Sequence, residues 1–278
     1  MKRKIIEIFG LPGVGKTTFE IDLKNYLKSK NKIVLNRREI ITKHGFSNIN
    51  NNLLDYVTLF YFRLIEKFKN KSKNNLKNNL KNKLNLKNYK KKIEFKNFIS
   101  NFFWERYIKI CERLFLKYFK NNLKNKKIIK NLIKKIDHKN KPLISFWIYE
   151  MFAAYYLFVQ KRLNLIYLSD EGFNQRCFLI LYSEIKQKNF FLNEFYNVCP
   201  KPDLCIYLTR NIQTIKNVHK QRKLDQSGVI LEKNKINNFI KFEKAIYNKF
   251  KNDIKFIKIK NYKKNSKLKK ILKWKYYY

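Results

Sequence analysis

Alanine is almost missing from this chain: Ala153, Ala154 and Ala245 are the only three in 278 residues. Glycine occurs six times, and proline and cysteine four times each. Cys111, Cys177, Cys199 and Cys205 contain no C-x-x-C pair and no metal-ligand spacing. That excludes a zinc ribbon and a disulfide framework, and the cysteines are expected to be reduced buried thiols of a cytoplasmic protein. His44, His138 and His219 form no metal-ligand pattern either. Acids are scarce, 20 against 64 lysines and arginines, so each acid carries more information than usual. No uninterrupted apolar run reaches the roughly 20 residues of a membrane-spanning helix. The longest, 143–159, is broken by Glu150, follows Pro142, and is expected to be a buried helix. The N-terminus leads directly into a strand pattern, which predicts no signal peptide.

What is abundant is lysine, 54 against 10 arginines, with asparagine, isoleucine, phenylalanine and tyrosine. These residues have A/T-rich codons, and the depleted ones have G/C-rich codons. The formal charge of +44 is therefore read as genome composition, with no specific nucleic-acid partner. Phosphate and base readers favour the bidentate fork of arginine, which is rare here. With 45% hydrophobic residues the chain can form a core, and its length suits one α/β domain with an insertion.

Along the chain, residues 4–9 read as a strand, 16–29 as a helix and 32–36 as a second strand. Arg37-Arg38-Glu39 ends that strand, and a loop around Gly45 follows. Residues 52–161 have a helical, aromatic-rich pattern. Within them, 69–92 hold ten lysines and eight asparagines, a solvated lysine-rich helix or disorder. Strands at 163–169, 203–208 and 254–259 then alternate with helices at 174–188, 212–220, 232–250 and 267–274. Strands separated by helices predict a parallel sheet. The expected organisation is an α/β core made of 1–51 and 162–278, with a lysine- and asparagine-rich helical insertion at 52–161.

Gly10-Leu-Pro-Gly-Val-Gly-Lys-Thr17 fits G-x-x-x-x-G-K-[ST] in full, between a strand and a helix. Glycines let such a loop curl so that backbone N–H groups point at phosphate oxygens, and the following helix adds its positive end. Gly10, Pro12, Gly13, Val14, Gly15, Lys16, Thr17 and Thr18 are the expected nucleotide-binding residues. Lys16 would reach the β- and γ-phosphates, and the Thr17 hydroxyl would bind Mg²⁺. The apolar run 165–168 ends in Ser169, Asp170, Glu171 and Gly172. One of the two acids would hold Mg²⁺, for which Asp170 is expected, and Glu171 would accept a proton from the acceptor. Arg37, Arg38 and Glu39 lie at a strand's carboxyl end, where parallel sheets bind ligands, and would hold the acceptor. Arg222, in the basic segment 216–228, would act from a lid over the phosphates.

Taken in order, four pieces resemble the P-loop nucleoside and nucleotide kinases, thymidylate kinases above all. They are the loop 10–17, the Arg38-Glu39 pair, the Asp170 strand end, and Lys201-Pro-Asp-Leu-Cys-Ile-Tyr-Leu208 with the basic segment after it. The resemblance covers about 1–48 and 162–262. It implies a kinase-like fold with a five-stranded parallel sheet, Mg-ATP as donor, and an acceptor near Arg38, Glu39 and Asp170. The family has Asp-Arg-aromatic where this chain has Asp170-Glu171-Gly172, and Arg176, one turn further on, is the stand-in. The expected activity is therefore phosphoryl transfer from ATP to a nucleoside, nucleotide or other small hydroxyl or phosphate acceptor. An NTPase that switches or assembles partners through its helical insertion is the alternative, and a sulfotransferase a third. No N-K-x-D motif selects GTP, and a homodimer stays open beside a monomer.

Overall fold

The computed structural model describes residues 4–11, 13–48, 52–72, 86–136, 141–161, 164–169, 172–182, 188–221 and 236–262. The chain is α/β. Strands β1 (Lys4–Phe9), β2 (Val34–Asn36), β3 (Ile166–Ser169), β4 (Leu204–Thr209) and β5 (Phe256–Lys260) form one sheet in the order β2-β3-β1-β4-β5. Every pairing is parallel; Lys4 faces Ile166 and Ile6 faces Leu204 across β1. Strands covered on both faces need apolar side chains in both directions, and β1 and β4 are near-continuous apolar runs for that reason. The one charged side chain in the middle of β1, Glu7, is buried nevertheless.

The order of the strands fixes where the sheet opens. The connection after β1 crosses β3 to reach β2 at one edge, whereas the connection after β3 crosses β1 towards β4. The two loops leave neighbouring strands in opposite directions, and a crevice forms between them at the carboxyl ends. Gly10, Leu11 and residues 13–15 follow β1 there, and Gly172 is the first described residue after β3.

Helix α1 (Lys16–Lys28) returns from this crevice, burying Phe19, Leu23 and Leu27 at i, i+4 and i+8. Each such side chain contributes about 1.5–3 kcal/mol by leaving water. Helix α2 (Arg37–His44) stands where a strand end and a loop around Gly45 were expected. Its cause is a capping box: the Asn36 side chain accepts from Glu39 N–H at 2.9 Å, and the Glu39 carboxylate accepts from Asn36 N–H at 2.9 Å. Paired first-turn donors of this kind start a helix, so Arg37-Arg38-Glu39 is its first turn.

Helices α3 (Leu53–Ser72), α4 (Leu86–Tyr118), α5 (Leu123–Lys135) and α6 (Lys141–Gln160) lie between β2 and β3 in the chain. Residues 73–85 of the lysine-rich stretch lie outside the described residues. Helix α6 is long and apolar enough to cross a membrane by length and composition. Here it lies in the core, with Ile148 and Phe152 in the cluster that holds Ile6 and Ile8, and Phe146 and Ala153 in the cluster that holds Leu35 and Tyr167. The helices before β3 thus share both clusters with the sheet.

Helices α7 (Phe173–Tyr182) and α8 (Lys188–Val198) follow β3. The reading of the sequence did not include α8, which buries Phe191, Leu192 and Phe195. Helix α9 (Ile212–Gln221) follows β4, and α10 (Ile236–Phe250) precedes β5. The helix expected at 267–274 lies outside the described residues.

Candidate functional site

The loop after β1 turns on left-handed glycines. Gly10 has φ 150°, Gly13 89° and Gly15 100°. Gly10 also passes against β4, where a Cβ would stand 2.5 Å from the Leu208 carbonyl oxygen. Gly15 is the N-cap of α1, with no side chain to fill the space before the helix. The first-turn N–H groups of α1 have no carbonyl ahead of them in the helix, so they and the positive helix end face the crevice. Thr17 and Thr18 are in that turn, and Thr17 is exposed. Pro12 lies outside the described residues.

Lys16 folds back over this loop. Its ammonium donates to the Gly10 carbonyl at 2.5 Å and to the Leu11 carbonyl at 3.3 Å. Arg210, just after β4, donates to the Gly13 carbonyl at 3.5 Å and to the Tyr262 carbonyl at 3.4 Å. Two cations therefore meet the loop from α1 and β4. On a third side, Leu11 N–H donates to the Glu243 carboxylate of α10 at 2.8 Å.

The loop after β3 is anchored by β1. Helix α7 begins after Gly172, which has no side chain to cap it, and Glu7 does so across the sheet. The Glu7 carboxylate accepts from Gln175 N–H at 3.1 Å and from the Asn174 side-chain amide at 2.9 Å. Gly172 packs closely enough that a Cβ would lie 2.9 Å from the Glu7 carboxyl carbon. Burial pushes the Glu7 pKa up to about 7, while its hydrogen bonds from Asn174 and Gln175 and the nearby Arg176 charge pull the other way. Glu7 also lines a small cleft, with room for about one water molecule, together with Ile5, Met151, Tyr167, Ser169 and Phe173.

The remaining expected residues fall into separate surroundings. Arg37 pairs with the buried Glu150 of α6 at 2.7 Å. Arg38 pairs with Glu66 at 3.1 Å and lies 3.7 Å from Glu150. Its guanidinium is 5.6 Å from the Trp104 ring and 5.9 Å from the Phe62 ring. Tyr107 donates to Glu150 at 3.0 Å, so this acid is surrounded by donors. Glu39 caps α2 and pairs with Lys24 at 2.6 Å. These three residues hold α2 against α1, α3, α4 and α6, at the carboxyl end of β2. Arg176 is 1% exposed, with its guanidinium 5.2 Å from the Trp147 ring and its charge felt at Glu7. Asp170, Glu171 and Arg222 lie outside the described residues.

Neither a known family model nor a curated protein matches this chain. The site's described parts are a left-handed glycine loop at the β1/β3 crevice, two cations on that loop, and two buried acids, Glu243 bracing that loop and Glu7 bracing the start of α7. Neither acid has a role in the reading of the sequence, where Glu150 is named only as the break in an apolar run. Their shared signal is an acid at a core-facing position: Glu7 amid Ile5, Ile6, Ile8 and Phe9, Glu243 on the stripe of Ile246 and Phe250, and Glu150 inside 143–159.

Proposed function

We propose that the chain is a P-loop phosphotransferase of nucleoside- and nucleotide-kinase type, moving a phosphoryl group from Mg-ATP to a small-molecule acceptor. The observation that carries this reading is the left-handed glycine loop 10–15, which opens α1 at the crevice between β1 and β3. Residues 10–18 would hold the phosphates, and Lys16 would exchange the Gly10 and Leu11 carbonyls for phosphate oxygens. The Thr17 hydroxyl and Asp170 would hold Mg²⁺, which supplies charge neutralisation to the transferring group. Glu171 would accept the acceptor's proton, and Arg222 would bring a cation from the segment after α9. Arg37, Arg38, Glu39 and Arg176 stand on the acceptor side, at the ends of β2 and β3. Among these Arg176 is favoured, because its helix begins on the loop that carries Asp170 and Glu171.

Lys16→Ala tests the reading. One cation on a transferring phosphoryl group contributes a few kcal/mol, so ATP turnover should fall about 100-fold or more. Unchanged ATP affinity and turnover would refute it. One observation favours a second reading, an NTPase that assembles partners. Helix α3 carries an exposed apolar stripe of Leu53, Tyr56, Val57 and Phe60, a docking face for such a partner. The two readings separate in one assay: a kinase forms ADP in proportion to an added acceptor, and a switch hydrolyses ATP without one.

A further inference from the structure

Glu243 is out of place unless the phosphate loop uses it. It sits on the core-facing stripe of α10 beside Ile246 and Phe250 and is 5% exposed. Transfer of an ionised carboxylate to such a position is costly unless partners compensate. Its partners come from three elements that frame the loop. Leu11 N–H donates to it at 2.8 Å, the Tyr207 hydroxyl of β4 donates to it, and the charges of Lys16 and of Lys258 on β5 face it. Lys258 stays at a distance, over the rings of Tyr207 at 5.4 Å and Tyr247 at 5.6 Å. Lys16 donates its ammonium to the Gly10 and Leu11 carbonyls. The loop with Lys16 thus contains its own negative counterpart, held by the residue that immediately follows Gly10.

We propose that Glu243 is a positioning residue for the phosphate loop and that it takes up a proton when a polyphosphate enters. The inference rests on the nucleotide-binding reading of the loop. Its physical basis is competition for one cation. Glu243 and the incoming phosphates are both anions near Lys16, and when Lys16 turns to the phosphates the acid loses a neighbour and gains a like charge. Both changes favour the neutral carboxyl. The neutral carboxyl still accepts from Leu11 N–H through its carbonyl oxygen, so the loop stays in position while the charge is removed. Burial already pushes the Glu243 pKa to about 7, so the proton is available at neutral pH. With the bound-state pKa above the free one, affinity is greatest below about pH 7 and declines as pH rises through the interval between the two.

The experiment is titration calorimetry of the full chain with Mg-ADP at pH 7.5, in buffers of different ionisation enthalpy, together with binding isotherms from pH 7 to 9. Wild type should take up a sizeable fraction of one proton per site and lose affinity roughly three- to tenfold over that pH range. Glu243→Gln keeps the acceptor for Leu11 N–H and removes the charge. It should bind without that proton uptake, with a flat pH profile, and more tightly than wild type at pH 8.5. Infrared difference spectra of wild type supply a readout that needs no variant: Mg-ADP should increase a protonated-carboxyl band. Proton uptake that persists in Glu243→Gln, or wild-type binding with neither proton uptake nor the infrared band, overturns the assignment to Glu243 alone. Absence of Mg-ADP binding by wild type overturns the loop reading and this inference with it.

Discussion

Replacing Glu7 by Gln should make the protein more stable at pH 8 and leave it almost unchanged at pH 5. The carboxyl is 1% exposed, and its pKa rises from 4.5 to about 7 on folding. Between those values the folded chain holds a proton that the unfolded chain has released, so stability falls as pH rises from about 4.5 to 7 and levels off above. The full shift corresponds to on the order of 3 kcal/mol, and the part between pH 5 and 8 to on the order of 2 kcal/mol. Glutamine has the same shape. Its carbonyl can accept Gln175 N–H, and its amide can donate to Asn174 once that side chain turns over. The Asn174 carbonyl oxygen is buried without a hydrogen-bond partner, so it is free to accept. Urea unfolding of both proteins at pH 5, 6, 7 and 8, followed by circular dichroism, reads the difference directly. Glu243 titrates equally in both chains and cancels. The stability gap should widen in favour of Glu7→Gln by about 1–3 kcal/mol over this range. A gap independent of pH, or a variant less stable than wild type at pH 8, would show that Glu7 is held ionised by its amide partners and would refute the reasoning.

Two glycines of the loop after β1 should fail in different ways. Gly10→Ala sets a Cβ 2.5 Å from the Leu208 carbonyl oxygen at a positive φ and should cost roughly 2–5 kcal/mol in thermal or urea unfolding. Gly15→Ala meets nothing within 4 Å, so it should cost only about 1–2 kcal/mol of stability while weakening Mg-ATP binding, measured by calorimetry, at least tenfold. Duplex DNA should bind weakly, at about 10⁻⁴–10⁻⁶ M in physiological salt, without sequence preference and with a steep salt slope; nanomolar binding at 150 mM salt that survives deletion of residues 69–92 would refute the compositional reading of the charge.

The parallel sheet was legible because its signals are local. Residues 4–9 and 204–208 are apolar runs of strand length, and glycines punctuate the first of them where it must turn. Helix α1 was legible from a glycine-rich start and a clean i, i+4 stripe. Helix α2 was misread because the charged triplet 37–39 looks like solvent-facing strand end. The deciding signal was the Asn36-x-x-Glu39 box, whose two hydrogen bonds outweigh the low helical amphipathicity of eight residues. Helix α8 is absent from the expected elements, and its Phe191 and Phe195 gain a partner surface only in the folded core.

The buried acids illustrate a different limit. A sequence places an acid on an apolar face, but whether that acid is ionised, protonated or braced depends on groups far along the chain. Glu7 meets Gln175, 168 residues away, and Glu243 meets Leu11, 232 residues away. Glu150 meets Arg37 and Arg38, which were expected to face a ligand, and these ion pairs with the Tyr107 hydrogen bond hold α2 and α4 against α6. The three acids differ in consequence because their neighbours differ. Glu150 is matched by guanidinium charge from Arg37 and Arg38. Glu7 is matched mainly by amides, and Glu243 by one N–H, one hydroxyl and the charges of two lysines. Burial pushes the pKa values of Glu7 and Glu243 up to about 7, and the two brace the loops that follow β3 and β1, the two sides of the crevice where the sheet opens.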